Sequence, residues 1–175
     1  MAEPASASFI CVASLVDLAT RAYSRYMATP FLLLVEDSLA DAALIEQGVK
    51  ELPFDVELAH TLDGEEGLGV LVAALDRIGG TTPTMVILDL NLPGISGFEV
   101  LKQLKQHPRT KRIPVVVMSG SDRATDVRSA LDSYANLYVQ KADDVDAYLA
   151  SVRDIATTFL AHGSWCLPPA CEDPV

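Results

Sequence analysis

From Pro30 onward, short apolar runs alternate with longer stretches in which apolar residues recur every three to four positions. "FLLLVE" (31–36) is a continuous apolar run closed by a carboxylate, the pattern of a strand buried on both faces. "LADAALIEQGVKEL" (39–52) places Ala42, Leu44, Ile45, Val49 and Leu52 near helical period. "DVELAH" (55–60) alternates Val56, Leu58 and His60 against Asp55, Glu57 and Ala59, as a strand flanked by solvent does. "GEEGLGVLVAALDRI" (64–78) reads as a helix, although Gly67 and Gly69 each cost about 1 kcal/mol relative to alanine. "GGTTP" is a loop, and "TMVILDL" (84–90) is a strand. "SGFEVLKQLKQ" (96–106) is a helix with a capping pair, Ser96 and Glu99, and Pro108 stops it. "IPVVVMSG" (113–120) is a buried strand. "RATDVRSALDSYA" (123–135) is a short helix with Ala124, Val127, Leu131 and Tyr134 on one face. "NLYVQK" (136–141) is a strand. "DVDAYLASVRDIATTFLA" (144–161) is a final helix with a broad stripe of Val145, Leu149, Val152, Ile155, Ala156, Phe159 and Leu160. That stripe either packs on the sheet or, through Tyr148, Phe159 or Leu160, extends into a dimer contact.

Five strands alternating with five helices predict a doubly wound α/β fold, a parallel sheet covered on both faces through right-handed crossovers. Sites in such sheets form outside the carboxyl ends of the strands, where the strand order switches. Those ends carry Glu36 and Asp37, then Asp89, Ser119 and Lys141; the second strand ends on His60, which joins no evident group. Three carboxylates brought together repel one another, and one lysine does not balance them. Mg²⁺ is the natural partner, because it takes carboxylate, carbonyl and water oxygens. A carboxylate beside Mg²⁺ and an ammonium can attack a phosphoryl group and become an acyl phosphate. Each residue alone has a plainer role. Asp37 or Ser38 could cap a helix, Asp89 could sit in a turn, Ser119 could cap the next helix, and Lys141 could be solvated. Their joint placement on four strand ends favours the chemical reading.

Composition narrows the classes. The chain has 175 residues, half of them apolar, enough for one domain with a sizeable core and short extensions. A net charge of −11 disfavours nonspecific contact with nucleic acid or an anionic membrane. No apolar stretch is long enough to span a bilayer. Cys11, Cys166 and Cys171 are odd in number and lie near the chain ends, which points to a reducing compartment rather than a disulfide framework. His162, Cys166 and Cys171 match no zinc spacing. Residues 1–29 stand apart as an Ala- and Ser-rich extension. It is either a short amphipathic helix or a dispensable segment upstream of Met27, with only weak signal- or transit-peptide character.

"LLLVEDS", "DGEEGL", "MVILDLNLPGISGFEVLKQLK", "IPVVVMSGS" and "YVQKA" together resemble the receiver domain of two-component response regulators, over about Phe31 to Ala161. The resemblance implies a flavodoxin-like (βα)₅ fold with strand order 2-1-3-4-5. It implies domain bounds of 30–161, with the extension at 1–29 and a tail at 162–175. It implies that Asp89 is the phosphoacceptor. Asp37 would hold Mg²⁺ directly and Glu36 through water, with Asn91 offering its backbone carbonyl. Ser119 would be the switch hydroxyl, Tyr138 the aromatic that follows it, and Lys141 the partner of the phosphoryl group. "VEDSLAD", "RIGGTTP", "LDLNLPG" and Trp165 before "LPP" are similar to the stand-alone regulators of phytochrome-type histidine kinases. That likeness implies a sensor kinase as donor and a homodimer through the last strand, last helix and tail. One departure is Ala142, where the family carries proline after a cis bond; alanine predicts a trans peptide.

The expected function is that of a cytoplasmic, Mg²⁺-dependent phosphoacceptor switch, not an enzyme. It takes its phosphoryl group from a histidine kinase and changes its protein contacts. Only residues 162–175 follow the last helix, so action through contacts or onward relay is expected, without DNA binding. Three rivals stand beside it. An aspartyl-nucleophile phosphatase would need an acid where Asn91 stands. A pseudo-receiver would serve only as an interaction module. A flavin-binding domain is disfavoured by the carboxylates of "EDSLAD".

Overall fold

The computed structural model describes residues 29–76 and 82–161. The extension, the tail with its cysteines and Trp165, and residues 77–81 of the "RIGGTTP" loop lie outside the described residues. Strands β1 (Phe31–Val35), β2 (Glu57–Thr61), β3 (Met85–Leu88), β4 (Val115–Ser119) and β5 (Leu137–Gln140) alternate with helices α1 (Leu39–Lys50), α2 (Gly64–Asp76), α3 (Gly97–Gln106), α4 (Ala124–Asp132) and α5 (Val145–Leu160). The strands form one parallel sheet in the order β2-β1-β3-β4-β5.

The central strands are the continuous apolar runs. Every residue of β1, β3 and β4 is buried, because helices cover both faces. Alternation along the strands sends Leu32, Leu34, Met85, Ile87, Val116 and Met118 into one core. Ala42, Ile45 and Val49 of α1 and Val152, Ile155 and Leu160 of α5 close it. Leu33, Val35, Val86, Leu88, Val115 and Val117 face the opposite way, towards Leu71 of α2, Val100, Leu101 and Leu104 of α3 and Ala130 of α4. Strands β2 and β5 are the edges and remain partly exposed, as the alternating pattern of residues 55–60 predicts for the first of them.

Four helices start on side-chain caps. Ser38 Oγ accepts from Asp41 N at 3.3 Å, Asp63 Oδ1 from Glu66 N at 2.8 Å ahead of α2, Ser96 Oγ from Glu99 N at 3.3 Å, and Asp144 Oδ1 from Ala147 N at 2.9 Å. Helix α1 ends two residues short of the expected Leu52, since Pro53 disfavours helical backbone at the residue before it. Helix α4 ends at Asp132, short of the expected residue 135; Leu131 and Tyr134, the latter beyond the helix at a positive φ of 65°, are exposed, and Ala130 is the residue this helix buries. On α5, Tyr148 and Leu160 are buried against the chain's own core, so neither extends outward into a dimer contact.

Candidate functional site

Sheet register builds the site. Val35 pairs with Leu88, so the next residues, Glu36 and Asp89, emerge side by side at the junction of β1 and β3. The backbone ladder runs one step further at each end. Glu36 N donates to Thr61 O at 3.0 Å, Asp89 N to Val35 O at 3.0 Å, and Lys141 N to Ser119 O at 2.9 Å. These bonds fix where each functional side chain leaves the sheet. After β3, Gly94 takes a positive φ of 74°, a conformation that favours glycine, and turns the chain towards α3. Gly97 then brings the start of α3 hard against the strand end. A Cβ there would lie 2.0 Å from Asp89 O and 2.6 Å from Leu90 Cα.

Glu36 and Asp89 are buried and Asp37 is exposed beside them. One oxygen from each of the three lies within 4.8 Å of the others. An anionic, all-oxygen donor set of this kind suits a small hard cation such as Mg²⁺. Both oxygens of Glu36 are already engaged, Oε1 by Ser38 N at 3.1 Å and Oε2 by Lys141 Nζ at 2.8 Å. Ser38, rather than Asp37, caps α1, and the Asp37 carboxylate accepts no hydrogen bond among the described residues. Asp89 Oδ1 accepts from Asn91 N at 3.2 Å, and Oδ2 from Lys141 Nζ at 3.0 Å.

Lys141 is the hub. Besides Glu36 and Asp89 it reaches Asp41 Oδ2 at 2.7 Å. Burial alone would weaken its charge. The bonds from Asp41 and Glu36, with the charges of Asp89 and Glu36, overcome that and raise its pKa above the ordinary lysine value. Glu36 is also shifted upward, mainly by burial and in part by Asp89; its single cation does not compensate. One ammonium gains from three anions, whereas each anion shares one ammonium. No cis peptide occurs among the described residues, so Lys141–Ala142 is trans, as alanine predicts.

Ser119 is fully buried at the end of β4, and its Oγ accepts from Ser121 N at 3.4 Å. Tyr138 on β5 is half-buried and donates its hydroxyl to Ser121 O at 2.7 Å. The loop after β4 therefore links Ser119 and Tyr138 through Ser121. His60 does have a place: its Nε2 lies 2.8 Å from Glu36 O, bracing the backbone of the acid pair. Asp41, in the first turn of α1, is a site residue that the sequence reading missed.

A doubly wound sheet with an acid cluster and a lysine at its switch point defines a class, and the family model for the response regulator receiver domain matches residues 32–153. The chain belongs to that family. It is 36% identical over 129 residues to Response regulator Rcp1 of Synechocystis sp., covering 74% of this chain and 88% of Rcp1. It is 38% identical over 133 residues to the probable methanogenesis regulatory protein FilR2 of Methanothrix harundinacea, covering 75% and 84% of the two chains. Among solved structures, the phosphorylated cyanobacterial phytochrome response regulator RcpA superposes with a TM-score of 0.72 at 32% identity, over 78% of this chain and 98% of RcpA. The Mn²⁺-bound form of Rcp1 gives 0.69 at 32% identity, over 83% and 99%. The resemblance to stand-alone phytochrome regulators therefore extends over nearly the full length of those relatives.

Proposed function

We propose that this chain is a cytoplasmic phosphoacceptor regulator in which a sensor histidine kinase, of the phytochrome-associated kind, transfers a phosphoryl group to Asp89. The observation that carries the reading is the placement of Asp89, buried at the end of β3 beside two further carboxylates, with Lys141 Nζ at 3.0 Å. The receiver unit runs from 30 to 161, with 1–29 and 162–175 as flanking segments. Kinship to RcpA and Rcp1 supports the choice of donor.

Asp37, Asp89, the backbone carbonyl of Asn91 and, through water, Glu36 would hold Mg²⁺. The engaged oxygens of Glu36, and an Asp37 carboxylate that accepts no hydrogen bond among the described residues, support that division. When bound, the ion supplies charge neutralisation for the incoming phosphoryl oxygens. A carboxylate oxygen of Asp89 attacks phosphorus in line. The O–P bond forms as the N–P bond of the donor phosphohistidine breaks, and the electron pair returns to the imidazole nitrogen. Lys141 holds the Asp89 carboxylate from one side and then receives a phosphoryl oxygen. Ser119, one turn of loop from Ser121, moves to the new dianion, and the Tyr138–Ser121 bond transmits that movement to the exposed face of β5.

Intact mass after incubation with a small phosphodonor tests this reading. One phosphoryl group is expected with Mg²⁺ and none without it. Turnover of many donor equivalents per chain would favour a phosphatase instead, and no labelling at all would favour a pseudo-receiver. The expected homodimer through β5, α5 and the tail is read separately by sedimentation before and after labelling.

A further inference from the structure

An ammonium has three N–H donors, and in Lys141 all three are used: Asp41 at 2.7 Å, Glu36 at 2.8 Å and Asp89 at 3.0 Å. Phosphoryl transfer to Asp89 changes one of these acceptors. The other two remain. Glu36 approaches from β1, whereas Asp41 approaches from a different layer, the first turn of α1. Its backbone is anchored there, since Asp41 N donates to the Ser38 Oγ cap at 3.3 Å. The aspartate side chain is short, so an anchored backbone fixes its carboxylate closely. Lys141 has the opposite character: its backbone is held by Ser119 O, but its long flexible stem leaves the end of an edge strand, so the position of its ammonium depends on its acceptors.

We propose that Asp41 is a positioning residue of the phosphoacceptor site. From α1 it holds the Lys141 ammonium over Asp89, so that the lysine is in place before the phosphoryl group arrives and stays there afterwards. The inference rests on the phosphoacceptor reading of Asp89. A plainer role for Asp41 is that an acid in a first helical turn favours the helix dipole. That role involves no partner at the end of β5. The observed side chain instead makes the shortest of the contacts to Lys141.

The test uses the full chain with acetyl phosphate at saturating Mg²⁺, following initial labelling by intact mass. Asp41→Asn should label roughly three- to tenfold more slowly than wild type, as expected for loss of one partly exposed charge-assisted hydrogen bond of three. Asp41→Glu, which restores the carboxylate, should recover most of the rate. The second readout is the ¹H–¹⁵N resonance of the Lys141 ammonium, assigned by its loss in Lys141→Met. It should be visible and slowly exchanging in wild type, and lost to fast exchange in Asp41→Asn. A helix-dipole role would leave that resonance unchanged. Labelling of Asp41→Asn at the wild-type rate, or slower labelling with the ammonium resonance intact, overturns the proposal. If wild type itself takes no label, the phosphoacceptor reading fails, while the resonance still reports whether Asp41 holds Lys141.

Discussion

Two half-buried lysines sit at opposite edges of the same sheet and meet opposite fates. Lys105, in the last turn of α3, donates to Ile113 O at 2.8 Å and to Asn136 Oδ1 at 2.9 Å, both at the amino-terminal edge of β4 and β5. Its acceptors are neutral, and burial pulls its pKa down to about 8. Lys141, at the carboxyl edge, is buried to a similar degree but meets three carboxylates, and its pKa rises. The difference lies in the partners rather than in depth. At the amino-terminal edge the polar groups satisfy one another: Asn136 Oδ1 also accepts from Val115 N at 2.9 Å, so the cluster ties helix to strands. At the carboxyl edge the anions outnumber the cation. That excess is unfavourable in a bare protein and suits one that receives a divalent ion and a phosphoryl group.

The largest expected effect that sharpens the contrast is at Asp89. Asp89→Asn should abolish Mg²⁺-dependent labelling altogether. It should also raise the melting temperature of the metal-free protein, because one of the crowded anions is gone. The two lysines come next. Lys141→Met leaves Glu36 and Asp89 buried without a cation and should cost about 3–5 kcal/mol in urea unfolding at neutral pH without metal. Lys105→Met keeps the apolar stem and leaves Asn136 Oδ1 bonded to Val115 N, so a change within about 1 kcal/mol is expected. Equal losses at the two sites would break the comparison.

A smaller effect is expected at Gly97, where an added Cβ meets backbone rather than a movable side chain. Gly97→Ala should cost about 1–3 kcal/mol, and labelling should slow as the strand end shifts away from Lys141. The smallest effect is a pH dependence with opposite signs at the two edges. Between about 8 and the ordinary lysine value of 10.5, the unfolded chain binds a proton at residue 105 that the folded chain has released. Stability from this residue therefore rises with pH across that window, and Lys105→Met should remove the rise. Lys141 is shifted the other way. Its contribution is complete below 10.5 and declines only as pH climbs beyond that value, so Lys141→Met should leave the 8–10.5 window unchanged. Denaturant melts of both variants across this range provide the check.

Much of this was legible in the residues. Strands buried on both faces are written as unbroken apolar runs, so β1, β3 and β4 and the residues that end them could be placed directly, and Asp89, Glu36 and Lys141 do converge. Short amphipathic helices were less clear. In residues 123–135 the large side chains Leu131 and Tyr134 suggest an apolar face, but the helix ends at Asp132 and its buried residue is the small Ala130. Partnerships across layers were hidden as well. Nothing in the spacing of Asp41 and Lys141 announces a contact between a first helical turn and the end of the farthest strand, a hundred positions on. The same holds for His60, whose partner is a backbone carbonyl and leaves no trace in side-chain pattern.

The central claim is that Asp89 carries a phosphoryl group because the excess of anions at the carboxyl edge is completed by a metal ion and by Lys141. Intact mass of the purified chain, incubated with a small phosphodonor with and without Mg²⁺, tests it most directly. The account predicts a single phosphoryl adduct, present only with Mg²⁺ and absent from Asp89→Asn. An adduct that persists in Asp89→Asn, or none under any donor including a phosphorylated histidine kinase, would contradict it.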